Sequence, residues 1–265
     1  MYHRSRPGSP GRRVLDCLEM RLSGPEKYAQ DHSFRRWPAR PLLWLIRGVV
    51  MKVRCLKCAT IDLFENIYYD SAKSTWDNMS WMGIPRQKYP TDLWIYQEII
   101  FHNKPDVVIE TGTLYGGSAL YLASLFDLIG HGRVVSIDLQ VRKDRPSHPR
   151  IHYISGLSST SPGVAEQLRP VLESTSKRMV ILDSDHRKSH VDEELRIYGQ
   201  YVTPGQYLIV EDSSVNGHPV SAQFGPGPFE SIEEFVKDND DFTVDKSKEK
   251  FFLSANHNGF LLRVK

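Results

Sequence analysis

Short apolar runs alternate with amphipathic stretches along most of the chain, and this pattern predicts strands separated by helices. Alternation of this kind is typical of βαβ units, in which a mostly parallel sheet is covered by helices on both faces. The predicted strands are 106–110, 133–139, 151–156, 178–183 and 206–212. The predicted helices are 92–101, the segment after the glycine-rich turn up to residue 130, 162–174, 188–202 and 229–236.

The C-terminal part follows a different pattern, with apolar segments at 242–245, 250–254 and 259–264. All three are predicted strands, and the pair Asn258-Gly259 predicts a tight turn that joins the last two into an antiparallel hairpin at the sheet edge. Trp94 is expected in the core. Because no repeat or linker interrupts residues 71–265, we expect one domain there, preceded by an extension over residues 1–70.

The extension is basic, whereas the rest of the chain is acidic. Residues 1–60 contain thirteen Lys and Arg against four Asp and Glu, so their charge is +9, and the total of +2 leaves −7 for the remainder. The apolar stretch 41–53 is too short to cross a bilayer. We interpret it as an amphipathic helix packed on its own domain, with contact to a membrane surface or a partner subunit as the alternatives. Residues 1–12 are predicted to be disordered and lack the pattern of a secretory signal.

The overall composition, 40% apolar and 25% charged, is that of a globular protein and excludes fibrous and disulfide-built classes. The cysteines, Cys17, Cys55 and Cys58, are odd in number, which favours a reducing compartment, and a cytoplasmic location is expected. Cys55 and Cys58 form a C-x-x-C without a second ligand pair, so a metal or redox role is disfavoured. No nucleic-acid partner is expected.

Acidic residues end four of the five parallel strands, where an open α/β sheet binds its ligands: Glu110, Asp138, Asp183 and the pair Glu211-Asp212. Carboxylates gathered at one rim repel each other unless a cation or a polyhydroxyl ligand uses them. This arrangement therefore predicts a ligand site.

The turn after the first parallel strand reads ETGTLYGGS, residues 110–118. Its glycines permit close approach of a ligand, but the spacing does not match the dinucleotide fingerprint, which favours a ligand without a pyrophosphate. A carboxylate before the turn suits a cationic ligand, and Asp138 can accept hydrogen bonds from a ribose diol. S-adenosylmethionine presents both features. The predicted cofactor contacts are Glu110, Gly112, Thr113, Gly116, Gly117, Ser118, Asp138, Ser158 and Asp183.

Asp183, Glu211 and Asp212 are predicted metal ligands, because adjacent strand ends bring them together and carboxylate oxygens suit Mg²⁺ or Mn²⁺. Such an ion can lower the pKa of an acceptor hydroxyl. The alternative is that Asp183 and Asp185 only cap a helix.

His186, three residues after Asp183, is the predicted general base. His218 is an alternative base or acceptor contact, although a structural role is favoured for it. Asp185 is left open between acceptor contact and helix cap.

Several motifs together resemble the cephalosporin hydroxylase-like family of S-adenosylmethionine-dependent methyltransferases, and within it the rhamnosyl O-methyltransferases of glycolipid assembly. The resemblance covers about residues 74–264. It rests on the motifs WMGIPRQKYPTDLWIYQEI, IETGTLYGGSALYLA, ILDSDHRKSHV, YLIVEDSSVNGHPV, FGPGPFESI and NGFLLR.

This resemblance implies a Rossmann-like class I methyltransferase fold, S-adenosylmethionine, a magnesium-type cation, and O-methylation of a hydroxyl on a sugar of a glycolipid or oligosaccharide. It also implies a homo-oligomer. Residues 183–186 also resemble a motif of catechol-type methyltransferases. Relative to that motif, His186 stands in place of a lysine base, and Glu211-Asp212 stands in place of Asp-Asn. Two other functions are kept as alternatives: a metal-dependent enzyme of antibiotic-type oxygenation or methoxylation, and a non-catalytic scaffold that binds S-adenosylmethionine.

Overall fold

The computed structural model describes the backbone of residues 40–265 and the side chains of residues 55–265. The chain divides into two compact units, Met1–Thr60 and Ile61–Lys265. The described part of the first unit belongs to helix α1, Arg40–Asp70, which confirms the helix predicted at 41–53. Within the part of the chain that is described, no helix is long and apolar enough to cross a membrane.

Some expectations for the N-terminus cannot be compared with the structure. The disorder predicted for residues 1–12 and the position of Cys17 lie outside the described residues. Cys55 and Cys58 lie on α1 with exposed side chains.

The second unit alternates strands and helices as the sequence predicts. Its strands are β1 Met79–Trp81, β2 Ile84–Arg86, β3 Val107–Thr111, β4 Arg133–Asp138, β5 Ile151–Ser155, β6 Arg178–Leu182, β7 Tyr207–Val210, β8 Phe242–Val244 and β9 Phe260–Arg263. Its helices after α1 are α2 Pro90–Asn103, α3 Gly117–Ile129, α4 Pro162–Glu173, α5 Lys188–Tyr198 and α6 Pro228–Asp238, with short 3-10 turns at Ala72–Ser74 and Lys246–Glu249.

Seven strands form one sheet in the order β5-β4-β3-β6-β7-β9-β8, and β1 and β2 form a separate antiparallel ribbon. Strands β3 to β7 are parallel to one another, whereas β9 runs antiparallel to both β7 and β8. The α/β class, the mostly parallel sheet and an antiparallel C-terminal pair of strands are therefore confirmed.

Helices cover both faces of the sheet. Because successive side chains of a strand point to opposite faces, each strand contributes to both apolar layers. Val107 and Ile109 pack with the apolar residues of α4, α5 and α6, while Val108 packs with those of α2 and α3. All three valine and isoleucine side chains are fully buried. The core thus consists of two apolar layers, and the strand ends between them remain available for polar residues.

The strand predicted at 250–254 is wrong. The antiparallel partners of β9 are β7 and β8, and residues 250–254 are irregular, with Phe252 at a positive φ of 62°. Ser254 donates its backbone N–H to Glu65 (3.0 Å) and its hydroxyl to Asp92 (2.7 Å), so side chains of α1 and α2 hold this segment instead of a strand ladder. Trp94, expected in the core, is 58% exposed.

Candidate functional site

The glycine-rich turn packs directly against the neighbouring strand end. Gly112 has a φ of +84°, and a Cβ there would lie 1.8 Å from the carbonyl oxygen of Asp183. Gly116, the N-cap of α3, also has a positive φ, of +81°. Because only glycine adopts such backbone without strain, these residues allow the turn to lie against the end of β6.

Glu110 and Asp138 hold this turn through hydrogen bonds. Glu110 is fully buried and accepts hydrogen bonds from the hydroxyls of Ser118 and Ser136, the latter at 2.7 Å. Asp138 Oδ2 accepts from the backbone N–H groups of Thr113 (3.0 Å) and Leu114 (2.7 Å). Both carboxylates therefore shape the turn.

The other oxygen of Asp138 accepts the backbone N–H of Gln140 (2.7 Å), and the guanidinium of Arg145 lies 2.9 Å from Oδ2. Both oxygens of Asp138 thus already have partners within the protein. Its predicted hydrogen bonds to a ribose diol stay a prediction. Ser158 lies just after β5, with its hydroxyl 3.3 Å from that of Thr160.

Arg86, at the end of β2, lies beside the start of α3. A Cβ on Gly117 would come within 2.9 Å of the Cβ of Arg86, and the guanidinium carbon is 4.9 Å from the ring centre of Tyr121. Arg86 is 3% exposed, yet none of its guanidinium nitrogens has a hydrogen-bond partner among the described residues. Burial accordingly lowers the pKa of Arg86. A buried guanidinium without an acceptor is costly, so this position suits an anionic group.

The sheet register brings the metal-type residues together. Leu182 of β6 pairs with Val210 of β7, so Asp183 and Glu211 follow two directly adjacent positions. Asp212 has a positive φ of 54° and donates its backbone N–H to Asn256 Oδ1 at 3.3 Å.

Asp183, His186 and Asp212 form the accessible part of this cluster. One carboxylate oxygen or imidazole nitrogen of each residue lies within 4.8 Å of those of the other two. Among the described residues, these three form the group that could hold a metal ion. His186 Nε2 is 2.9 Å from Asp212 Oδ2, and the side chains of Asp183, His186 and Asp212 are 19%, 27% and 38% exposed. A ligand from solvent can therefore reach all three.

The ion pair sets the protonation of the histidine. Burial alone would lower the pKa of His186, but the charge and hydrogen bond of Asp212 outweigh it and raise the pKa to about 9. Conversely, His186 keeps the pKa of Asp212 below its ordinary value despite burial. In this arrangement His186 carries its proton at neutral pH.

Glu211 occupies the buried floor of the site, where Lys88 is its counter-ion. Lys88 Nζ contacts Glu211 Oε2 and lies 2.5 Å from Asp183 Oδ2, and its side chain is only 4% exposed. Burial raises the pKa of both carboxyl groups above the ordinary range. Burial alone would lower the pKa of Lys88, but Asp183 and Glu211 together raise it, so the ammonium stays charged.

Tyr96 and Asn256 complete this floor. Tyr96 donates its hydroxyl proton to Glu211 Oε1 at 2.7 Å, and Asn256 donates its amide N–H to the same hydroxyl at 3.0 Å. Because both oxygens of Glu211 are held, its side chain has a fixed orientation.

Two other predicted residues, Asp185 and His218, pair with groups outside the cluster. Asp185 accepts both the backbone and the side-chain N–H of Arg187 at 3.0 Å, which lowers its pKa to about 2 and makes it a turn-forming residue. His218 Nε2 lies 2.9 Å from Glu230 Oε1, and its ring stacks on Phe229 with centres 3.7 Å apart. These contacts agree with the structural role favoured for His218, whereas His186 is the histidine grouped with Asp183 and Asp212.

Sequence reasoning missed four residues of the site: Arg86, Lys88, Tyr96 and Asn256. Arg86 and Lys88 belong to the segment IPRQKYP, whose two basic residues between prolines were an available signal. Tyr96 and Asn256 lie within apolar or turn segments and carry no local signal.

Comparison with known proteins places the chain among methyltransferases. The family model described as "Rhamnosyl O-methyltransferase/CmcI" matches residues 73–264. Rhamnosyl O-methyltransferase of Mycobacterium leprae (strain TN) is 41% identical over 194 residues, which are 71% of this chain and 84% of that protein. The enzyme of the same name from Mycobacterium tuberculosis (strain ATCC 25618 / H37Rv) is 38% identical over 212 residues, 77% of this chain and 85% of that protein.

Solved structures of CmcI share the fold. A CmcI structure described as holding Mg and SAM superposes with a TM-score of 0.56 at 19% identity, over 71% of this chain and 78% of that one. A ligand-free CmcI structure gives the same TM-score at 20% identity, over 71% of this chain and 77% of that one. The Rossmann-like class I methyltransferase fold is thereby confirmed.

Proposed function

The chain belongs to the rhamnosyl O-methyltransferase/CmcI family and is an S-adenosylmethionine-dependent O-methyltransferase; on this premise we propose that it methylates a sugar hydroxyl with the help of a divalent metal ion. The observation that carries the proposal is the convergence of Asp183, His186 and Asp212 beside the glycine-rich turn. A site that only bound the cofactor would need neither the metal-type ligands nor the histidine.

The cofactor binds across the turn that Gly112 and Gly116 form, between Asp138 on one side and Asp183 on the other. Glycine at Gly112 lets the turn pack against the backbone of Asp183, so the turn and the end of β6 border the same site, which supports this placement. The unpaired guanidinium of Arg86 receives the carboxylate of the methionine part, because a buried Arg gains most from a bidentate anion. Ser158, after β5, is proposed to contact the adenosine part.

The residues present fit a divalent cation such as Mg²⁺ or Mn²⁺. Asp183 and Glu211 already converge on one cation, the ammonium of Lys88, and Asp212 lies on the open side of Asp183. Such a set of carboxylate oxygens suits a hard cation that keeps some water ligands. Asp183, Glu211 and Asp212 are therefore the proposed metal ligands.

The reaction forms a bond between the acceptor oxygen and the methyl carbon while the bond between that carbon and the cofactor sulfur breaks. The imidazole of His186 takes the proton of the acceptor hydroxyl, and the negative charge of Asp212, whose Oδ2 lies 2.9 Å from Nε2, stabilises the imidazolium that forms. When bound, the divalent cation supplies positive charge that favours the deprotonated acceptor and offsets the pull of Asp212 on the proton of His186.

A sugar acceptor is supported by the names of the relatives, which are rhamnosyl O-methyltransferases at about 40% identity. The side chains of His186 and Asp212 are 27% and 38% exposed, so an acceptor can approach them from solvent. A glycolipid or an oligosaccharide is accordingly the proposed acceptor class. We also propose that the chain forms a homo-oligomer and that its basic N-terminus contacts a membrane surface. A further proposal divides the chain into an extension, 1–70, and a methyltransferase domain, 71–265.

The test uses the full chain with S-adenosylmethionine, rhamnosyl glycosides and mass spectrometry of the products. The expected product carries one added methyl group, and EDTA removes the activity until excess Mg²⁺ or Mn²⁺ restores it. His186→Ala is expected to bind S-adenosylhomocysteine as the unchanged chain does but to lose turnover. Full activity in excess EDTA would refute the metal role, and a product that gains oxygen instead of methyl would refute the reaction.

A further inference from the structure

We infer that Lys88 is a built-in cation that occupies the floor of the metal site and that a divalent ion binds in competition with it. This inference rests on the proposed function, because it concerns the metal that the carboxylates are proposed to hold. It assigns to Lys88 a role in setting metal affinity.

The geometry shows why one cation must replace the other. The ammonium of Lys88 lies 2.5 Å from Asp183 Oδ2 and contacts Glu211 Oε2, so it bridges two of the three proposed metal ligands. A metal ion that binds both oxygens needs the space and the charge that the ammonium now supplies. Binding to both therefore requires Lys88 to withdraw from the two carboxylates.

Burial makes the competition strong. The side chains of Lys88 and Glu211 are 4% and 5% exposed, so water contributes little to the stability of either charge. Without a cation, the buried carboxylate of Glu211 next to that of Asp183 would carry a large energetic cost. Lys88 thus stabilises the two carboxylates and, by the same contacts, weakens metal binding.

Neighbouring residues hold Lys88 in place. Tyr89, which follows it, and Arg86, two residues before it, are 4% and 3% exposed. Tyr96 fixes the other oxygen of Glu211 at 2.7 Å. Because the segment and the carboxylate are both anchored, the ammonium can leave by a change of its side chain alone.

The experiment measures Mg²⁺ and Mn²⁺ affinity by calorimetry in the full chain saturated with S-adenosylhomocysteine. Lys88→Met removes the charge at similar volume, and Lys88→Gln is a second neutral variant that keeps N–H donors if the first does not fold. Lys88→Arg keeps the charge. Lys250→Met removes the exposed pair with Glu98, at 2.5 Å, and serves as the matched control.

Both neutral variants are expected to bind the metal at least about tenfold more tightly, because a positive charge within a few ångströms of the ion is lost. Their thermal stability should fall in EDTA and recover with metal by a larger shift than that of the unchanged chain. Lys88→Arg and Lys250→Met should keep the original metal affinity. Loss of packing alone could lower stability, but it would not tighten metal binding.

Equal or weaker metal binding by both neutral variants, while the unchanged chain binds metal, would overturn the role of Lys88 and leave the proposed function intact. Absence of metal binding in every protein, the unchanged chain included, would instead refute the proposed metal site. The two failures are therefore distinguishable.

Discussion

Replacing Tyr96 with Phe tests whether the floor of the site is as tightly held as its hydrogen bonds indicate. Tyr96 is 1% exposed, and its hydroxyl donates to Glu211 Oε1 at 2.7 Å while accepting from Asn256 Nδ2 at 3.0 Å. The substitution removes one oxygen atom and leaves the ring. It therefore deprives a buried carboxylate and a buried amide of partners at once.

The expected cost follows from these two bonds. A hydrogen bond to a charged group contributes about 1.5–3 kcal/mol and a neutral one about 0.5–1.5 kcal/mol, so Tyr96→Phe should lower the free energy of unfolding by about 2–4 kcal/mol. Tyr198→Phe is the control, because Tyr198 is fully buried and makes a single neutral hydrogen bond, to Ser159 O at 2.7 Å. That control should cost about 1 kcal/mol.

Urea-induced unfolding followed by circular dichroism gives both free energies, measured in EDTA so that metal does not contribute. Tyr96→Phe should unfold at a lower urea concentration than Tyr198→Phe, with a similar dependence on urea. If Tyr96→Phe cost no more than the control, then Glu211 would not depend on Tyr96 and the account of a rigid floor would be wrong.

Two further predictions concern an unpaired cation and a paired histidine. In calorimetry, Arg86→Met should weaken the binding of S-adenosylhomocysteine. The binding of 5′-methylthioadenosine, which lacks the carboxylate, should not change, and equal effects on both ligands would contradict the proposed contact. Glu249 and Glu65 raise the pKa of His257 to about 9, although burial opposes them, and His257 Nε2 lies 2.9 Å from Glu65. Because the folded-state pKa lies above the unfolded one, this stabilisation is complete below about pH 6.5 and is lost as the pH rises through about 9. The stability advantage of the unchanged chain over His257→Gln should therefore shrink by roughly 2–3 kcal/mol between pH 6 and 9.5, and a constant difference would exclude the ion pair as its cause.

The strand ends could be predicted from the sequence because parallel strands place their carboxyl ends at one edge. Asp183 and Glu211 follow apolar runs that were recognisable as buried strands, and the register of β6 and β7 makes them neighbours. The hydrophobic pattern was thus sufficient to assemble the acidic part of the site.

The basic part depends on contacts that no local pattern encodes. Lys88 reaches Asp183 across 95 positions and Glu211 across 123, and it comes from a segment before the parallel strands. Asn256 contacts Tyr96 across 160 positions. A rule that examines only strand ends cannot find such partners.

Errors in the elements have a similar origin. The apolar pair Phe251-Phe252 suggested a strand, but polar side chains of other elements hold the backbone around Ser254. Trp94 was expected inside because tryptophan is apolar, yet it lies on the solvent side of α2 and donates its indole N–H to Glu98 at 3.0 Å. Tertiary contacts thus decided the first case, whereas in the second the side chain pairs with a residue of its own helix.

The close contact between Gly112 and the carbonyl of Asp183 has a consequence for engineering the enzyme. Since a Cβ at Gly112 would lie only 1.8 Å from that oxygen, any larger residue must push apart the glycine-rich turn and the end of β6 at Asp183. Libraries that seek new acceptors should therefore keep this position as glycine and vary the loop between β7 and α6. In that loop the side chains of Ala222, Gln223 and Phe224 are exposed and can be varied, whereas Glu211 and Asp212 at its start should be kept.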